Sequence, residues 1–140
     1  MAPPAHVLLV EDDPLTVFNT ERSLRKSKDV LSITVAFDGR DAFDRLRSGA
    51  FAGERVVILT DLSMPRMSGL ELVTAMREEP TLKDLPVVIM TNSSDEADRA
   101  AARELDVADY IVKSAGNRHF EQMLAWLRDY ASPASPAEAA

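Results

Sequence analysis

The chain is 140 residues long and 46% hydrophobic, with 23 acidic against 16 basic residues, two histidines and a net charge of -7. That length suits one domain with one core, and the acidic balance argues against non-specific binding to nucleic acid or an anionic membrane, leaving a protein or a cation as the expected partner. Cysteine is absent, which excludes disulfides and thiolate metal sites; no apolar segment approaches bilayer length and no leader pattern opens the chain, so a cytoplasmic location is expected.

The first strand is expected at His6-Val7-Leu8-Leu9-Val10, an apolar run that ends on Glu11, Asp12 and Asp13. Pro14 suits the first position of a helix capped by Asp13, and Leu15, Phe18 and Leu24 supply its apolar stripe to about Lys26. Residues 31–37 alternate as a second strand, Asp38-Gly39 marks a turn, and Ala42, Phe43 and Leu46 indicate a short helix ending at Gly49. The run Val56-Val57-Ile58-Leu59-Thr60 then reads as a strand buried on both faces, as in a parallel sheet covered by helices, and it stops on Asp61. A helix is expected over 70–77, closed by Pro80. Strand four follows at Pro86-Val87-Val88-Ile89-Met90 and ends on Thr91. Ser93 and Glu96 have capping-box spacing before an Ala-rich helix that continues to Leu105. The fifth strand, Asp109-Tyr110-Ile111-Val112, ends on Lys113, and a last helix over 118–130 shows Phe120, Met123, Leu124 and Leu127 on one face. Residues 1–130 are thus one domain, and the Ala/Ser/Pro-rich 131–140 a disordered tail.

Strands alternating with helices imply a parallel sheet with helices on both faces, and every strand then ends at one edge. Ligands bind at that edge in open α/β sheets. Glu11 and Asp12, Asp61, Thr91 and Lys113 all arrive there. Taken singly, each has a bland reading: Asp61 and Glu11-Asp12-Asp13 as caps and solvated turns, Thr91 as a strand-end hydroxyl, Lys113 as a surface lysine. Their joint placement carries the argument. Crowded carboxylates stay ionised only beside a cation, either Lys113 or a metal, and oxygen-only ligands with open positions suit Mg²⁺. A metal-flanked aspartate can attack phosphorus and form an aspartyl-phosphate while lysine and a hydroxyl steady the phosphoryl oxygens.

On these residues the chain resembles the receiver domains of bacterial two-component response regulators, the CheY-like family, over roughly residues 6–128. The resemblance implies a flavodoxin-like (βα)5 doubly wound parallel sheet with strand order 2-1-3-4-5. It makes Asp61 the phosphoacceptor, Glu11 and Asp12 the acidic metal pair, and the Ser63 carbonyl a further ligand of the Mg²⁺ cofactor. Thr91 is then the hydroxyl that moves onto the phosphoryl group, Lys113 its partner and Tyr110 an aromatic switch; Met64-Pro65 and Gly69 fit the same pattern. One position departs: Ser114 follows Lys113 where the family usually has proline after a cis bond. Receivers that serve bacterial phytochromes share this Lys-Ser pair, which points to a light-sensing histidine kinase as donor.

The function expected is that of a stand-alone response regulator, phosphorylated by a sensor histidine kinase, not a turnover enzyme, and signalling by protein contact. Two rivals are weighed. A haloacid-dehalogenase-type phosphohydrolase normally has a second Asp two residues after the first, where this chain has Ser63. A degenerate receiver, a binding module only, would lack the acidic pair, Asp61 or Lys113, and all are present. A homodimer through helix four, strand five and helix five is expected, with Tyr110 and the flanking Trp126 at the interface.

Overall fold

A computed structural model describes residues 4–114, 116 and 118–131 of the chain. The elements in order are β1 (Ala5–Val10), α1 (Pro14–Leu24), β2 (Val30–Ala36), α2 (Gly39–Arg47), β3 (Val56–Thr60), α3 (Gly69–Arg77), β4 (Val87–Thr91), α4 (Glu96–Glu104), β5 (Asp109–Val112) and α5 (Arg118–Ala131). The strands form one parallel sheet in the order β2-β1-β3-β4-β5, the order expected. Apart from Ala131, which closes α5, the expected tail lies outside the described residues.

The middle strands are apolar on both faces because both faces are covered. Leu8, Val10, Val56, Ile58, Val87 and Ile89 point to one side and pack with Phe43 and Leu46 of α2, Leu72 and Met76 of α3 and Ala102 of α4. Their neighbours Val7, Leu9, Val57, Leu59, Val88 and Met90 point to the other and pack with Val17 and Leu24 of α1 and Met123 and Leu127 of α5. Each such side chain contributes about 1.5–3 kcal/mol relative to leaving it in water, and losing any of the largest opens a cavity.

This sheet sets the level of the strand ends. β1 and β3 run in register from His6 beside Val56 to Val10 beside Thr60, so Glu11 and Asp61 leave the sheet side by side. Thr91 pairs with Val112, which puts Lys113 one residue beyond it. The chain goes from β1 to β2 on one side and then returns past β1 to β3 on the other, and the crevice at such a reversal is where α/β sheets bind ligands.

Two expectations are corrected. Leu15 and Phe18 do not face the core; they are 67% and 61% exposed, and the buried face of α1 is Val17, Thr20 and Leu24. At 100° per residue, Leu15 and Leu24 lie on opposite sides of one helix, so no single stripe contains both. Ser93 is not the cap of α4 either. Asp95 accepts from the Ala97 amide at 2.8 Å, while the Ser93 hydroxyl is committed to the Asp98 carboxylate at 2.7 Å. Aspartate caps as well as serine, and here it stands nearer the helix.

Elsewhere the local signals hold. Asp13 caps α1 through the Thr16 amide at 3.0 Å, with Pro14 in the first turn. Ser68 and Glu71 form a reciprocal capping box on α3, and Gly69 opens that helix. A Cβ at Gly69 would lie 2.1 Å from the Asp61 carbonyl oxygen, so only glycine lets α3 start so close beneath the end of β3.

Candidate functional site

Three of the strand-end groups meet directly. Lys113 Nζ donates to Asp61 Oδ2 at 2.9 Å and to Glu11 Oε1 at 3.0 Å. The other oxygen of Glu11 accepts the backbone amides of Asp12 and Asp13 at 3.1 and 3.2 Å, because the chain turns sharply around a carboxylate only 4% exposed. Asp61 Oδ1 accepts the Leu62 amide at 2.6 Å and, more weakly, the Ser63 amide at 3.4 Å. An ionised carboxylate offers about four lone-pair positions. The amides occupy Oδ1, and Lys113 takes one position on Oδ2, which leaves Oδ2 the oxygen with room for another atom.

Burial acts to raise the carboxyl pKa of Asp61, but the hydrogen bond and charge of Lys113, helped by the Leu62 amide and the Thr91 hydroxyl, outweigh it and leave the group below the ordinary aspartate range. Burial dominates at Glu11. It stands above its ordinary range, and the Asp61 charge pushes the same way while Lys113 and the Asp13 amide pull it back. Burial also works against the charge on Lys113, yet Asp61 and then Glu11 more than compensate and raise it. The result is one cation between two acids, with the negative charge in excess.

Asp12 is exposed and touches the cluster only through its backbone. Thr91 is 2% exposed, and its hydroxyl accepts the Ser93 amide at 3.3 Å. Tyr110 donates its hydroxyl to the Ser93 carbonyl at 3.0 Å under the guanidinium of Arg99, 4.9 Å from its ring. Thr91 and Tyr110 are thus tied to the same residue, a link that spacing could not show. Trp126 is half-buried against the α1 and α5 side of the core and stacks on Tyr130 with ring centroids 4.9 Å apart, so only part of it faces outward. The peptide bonds of the described residues are trans, Lys113 to Ser114 included, and Lys113 reaches Asp61 without the family's usual turn. His119, to which sequence reading gave no role, accepts the Ser114 amide at 3.4 Å.

The donor set is hard and oxygen-only, which fits a divalent cation of the Mg²⁺ type. Among the described residues no three His, Cys, Asp or Glu side chains form a ligand set alone. An ion here would draw on the acids at the ends of β1 and β3, a backbone carbonyl and water, as Mg²⁺ commonly does.

Residues 7–125 match the family model described as the response regulator receiver domain. The chain is 30% identical over 141 residues to response regulator Rcp1 of Synechocystis sp., with 95% of this chain and 96% of that protein covered. Its fold is similar to that of the phosphorylated cyanobacterial phytochrome response regulator RcpA, with a TM-score of 0.81, 29% identity and 94% of this chain and 97% of that one covered. The Mn²⁺-bound form of Rcp1 gives a TM-score of 0.79 at 28% identity, covering 94% of this chain and 98% of the other.

Proposed function

The chain belongs to the response regulator receiver domain family of two-component signalling, and from that membership we propose that Asp61 accepts a phosphoryl group from a histidine kinase, with Mg²⁺ beside it, and that the phosphorylated protein signals by protein contact. The observation that carries this reading is Lys113 Nζ, held 2.9 Å from Asp61 and 3.0 Å from Glu11 at the crevice between β1 and β3.

In the reaction, Asp61 Oδ2 attacks phosphorus, and the bond from phosphorus to the donor breaks. The donor leaves with its electron pair, as acetate from acetyl phosphate or as the imidazole of the kinase histidine. Lys113 then moves from carboxylate oxygen to phosphoryl oxygen, and Thr91 gives up the Ser93 amide to donate its hydroxyl to the same group. Asp12, Asp61 and the Ser63 carbonyl would hold Mg²⁺, with Glu11 acting through water, and the ion when bound would supply positive charge to the phosphoryl oxygens. Ser63, two residues after the acceptor, has no carboxylate with which to activate water, which favours a stable or slowly decaying phospho-form over turnover. Incubation with acetyl phosphate and Mg²⁺ should therefore add one phosphoryl group per chain. Sustained phosphate release from small phosphoesters would instead revive the phosphohydrolase reading, and no uptake from any donor the binding-module reading. RcpA is a phytochrome response regulator, so a light-sensing kinase is the first physiological donor to try.

Magnesium should also stabilise the fold by relieving the excess negative charge. At ten times its dissociation constant a ligand adds about 1.4 kcal/mol, or roughly 3–6 °C in melting temperature for a domain of this size. Melting in millimolar Mg²⁺ and in chelator tests this. An unchanged midpoint, with phosphorylation proceeding in chelator, would reject the metal site.

The output surface proposed is α4, β5 and α5, used to form a homodimer. An open groove between β5 and α5, floored by Tyr110, Ala125 and Trp126, supports it. Release of Thr91 from Ser93 on phosphorylation frees the residue that anchors Tyr110, which links the acceptor to this face. Light scattering of the wild type and of Trp126→Ala, each with and without phosphodonor, should show a dimer weakened in the variant. A wild type monomeric at high micromolar concentration in both states would rule the dimer out.

A further inference from the structure

The loop from Asp61 to Gly69 carries both the acceptor and the Ser63 carbonyl, and its middle is strained. Arg66 has φ 65, in the left-handed region that a residue with a Cβ avoids. The Met67 amide donates to the Pro65 carbonyl at 2.7 Å and closes a three-residue turn around it. Turns of that hand are rare and persist only where their surroundings impose them.

Two contacts from outside the loop do so, both from the start of α2. Arg66 Nη2 forms an ion pair with Oδ2 of Asp38, whose side chain is 1% exposed and whose other oxygen caps α2 through the Asp41 amide at 2.8 Å. The Gly39 amide donates to the Met67 carbonyl at 3.0 Å, and a Cβ at Gly39 would come within 2.4 Å of that oxygen. The capping amide of Asp41, and Arg66 against the opposing effect of burial, hold the Asp38 carboxyl below its ordinary range, so it is charged throughout the neutral range. Asp38 cannot swing away without uncapping α2 and leaving a buried charge unpaired.

We propose that Asp38 and Arg66 form a latch that positions the acceptor loop, holding the Ser63 carbonyl where a divalent cation beside Asp61 can use it. The proposal deepens the phosphoacceptor reading and rests on it. Neither residue touches the reacting atoms; both are positioning residues, and the latch acts before any metal or phosphoryl group arrives.

The test measures Mg²⁺ affinity by calorimetry and amide exchange of Leu62 and Ser63 without metal, in the wild type, Arg66→Ala, Arg66→Lys, Asp38→Asn and the double variant. Asparagine still caps a helix, and the Arg66 side chain is 72% exposed, so these variants keep the fold. Arg66→Ala should lose about fivefold in Mg²⁺ affinity, the scale of one ordinary hydrogen bond, and exchange faster at Leu62 and Ser63 than the accompanying drop in urea midpoint accounts for. Arg66→Lys should recover part of both losses. Asp38→Asn should behave like Arg66→Ala, and the double variant should be no worse than either, because each removes the same contact. Wild-type affinity and exchange in Arg66→Ala, or additive losses in the double variant, would overturn the latch alone. A wild type that neither binds Mg²⁺ nor is phosphorylated would overturn the phosphoacceptor reading and the latch's purpose with it.

Discussion

Asp61→Asn is expected to take up no label from acetyl phosphate in Mg²⁺ and to yield no borohydride-trapped product, a complete loss and not a slowing. An amide is too poor a nucleophile to attack phosphorus at a useful rate. None of the neighbouring acids can take its place. Glu11 is 4% exposed, with one oxygen held by Lys113 and the other by the amides of Asp12 and Asp13. Asp12 is exposed and has no ion pair with Lys113. Asparagine keeps the shape of the side chain, and the Glu11 to Lys113 pair remains, so the variant should fold, and normal secondary structure by circular dichroism would locate the loss in the chemistry. Undiminished labelling in Asp61→Asn, or a main label on another residue of the wild type, would sink the assignment.

How much of this arrangement could be read beforehand depends on the range of the interaction. Each central strand is an apolar run that stops on a charged or hydroxylated residue, so Glu11, Asp61, Thr91 and Lys113 could be placed at one sheet edge from local pattern alone. Strand order could not, because the pairing of β1 with both β2 and β3 leaves no trace in a strand's own periodicity; the family resemblance supplied it. Size and apolarity mislead on the inner face of α1, because Leu15 and Phe18 are larger and more apolar than Thr20, which is the residue that packs inward. The same holds for polar contacts. The capping box of Ser68 and Glu71 is local, whereas Asp38 and Arg66 stand 28 residues apart and pair only because α2 begins beside the end of β3. Backbone donors are silent in sequence as well: the Leu62 amide on Asp61 and the Asp12 and Asp13 amides on Glu11 belong to no motif, yet they help decide which carboxylate oxygen is left for chemistry.

Lys113→Met should have the second large effect, on stability as well as on phosphorylation. The side chains of Lys113, Glu11 and Asp61 are 12, 5 and 12% exposed, so removing the cation leaves two close carboxylates with little water. Deleting one partner of a buried ion pair costs about 3–5 kcal/mol, and the lower end is expected at a site that opens toward the exposed Asp12. The pH dependence separates this from simple loss of packing. Burial opposes the charge on Lys113, but its acids raise it above the ordinary 10.5, so its contribution is fully present below that pH and is lost only as pH rises through the folded value. Burial acts to raise Asp61, but Lys113 outweighs it and sets the group below 3.8, so its stabilisation is present above that value and is lost as pH falls through the folded pKa. Glu11, raised above 4.5 chiefly by burial, has the opposite sign: the folded state holds the proton more tightly than the unfolded one, and stability falls as pH rises through that window. Without Lys113 the downward pull on both acids disappears, both carboxyls move up, and the falling trend deepens. Urea unfolding from about pH 5 to about pH 8 should therefore show the wild type and Lys113→Met diverging as pH rises. Millimolar Mg²⁺ should narrow the gap by supplying a cation to the same acids, while phosphorylation stays about 10²–10³ slower for want of the ammonium on the transferring group. A stability gap that is constant across this range, or that closes toward neutral pH, would mean that Lys113 contributes packing and not charge to the site.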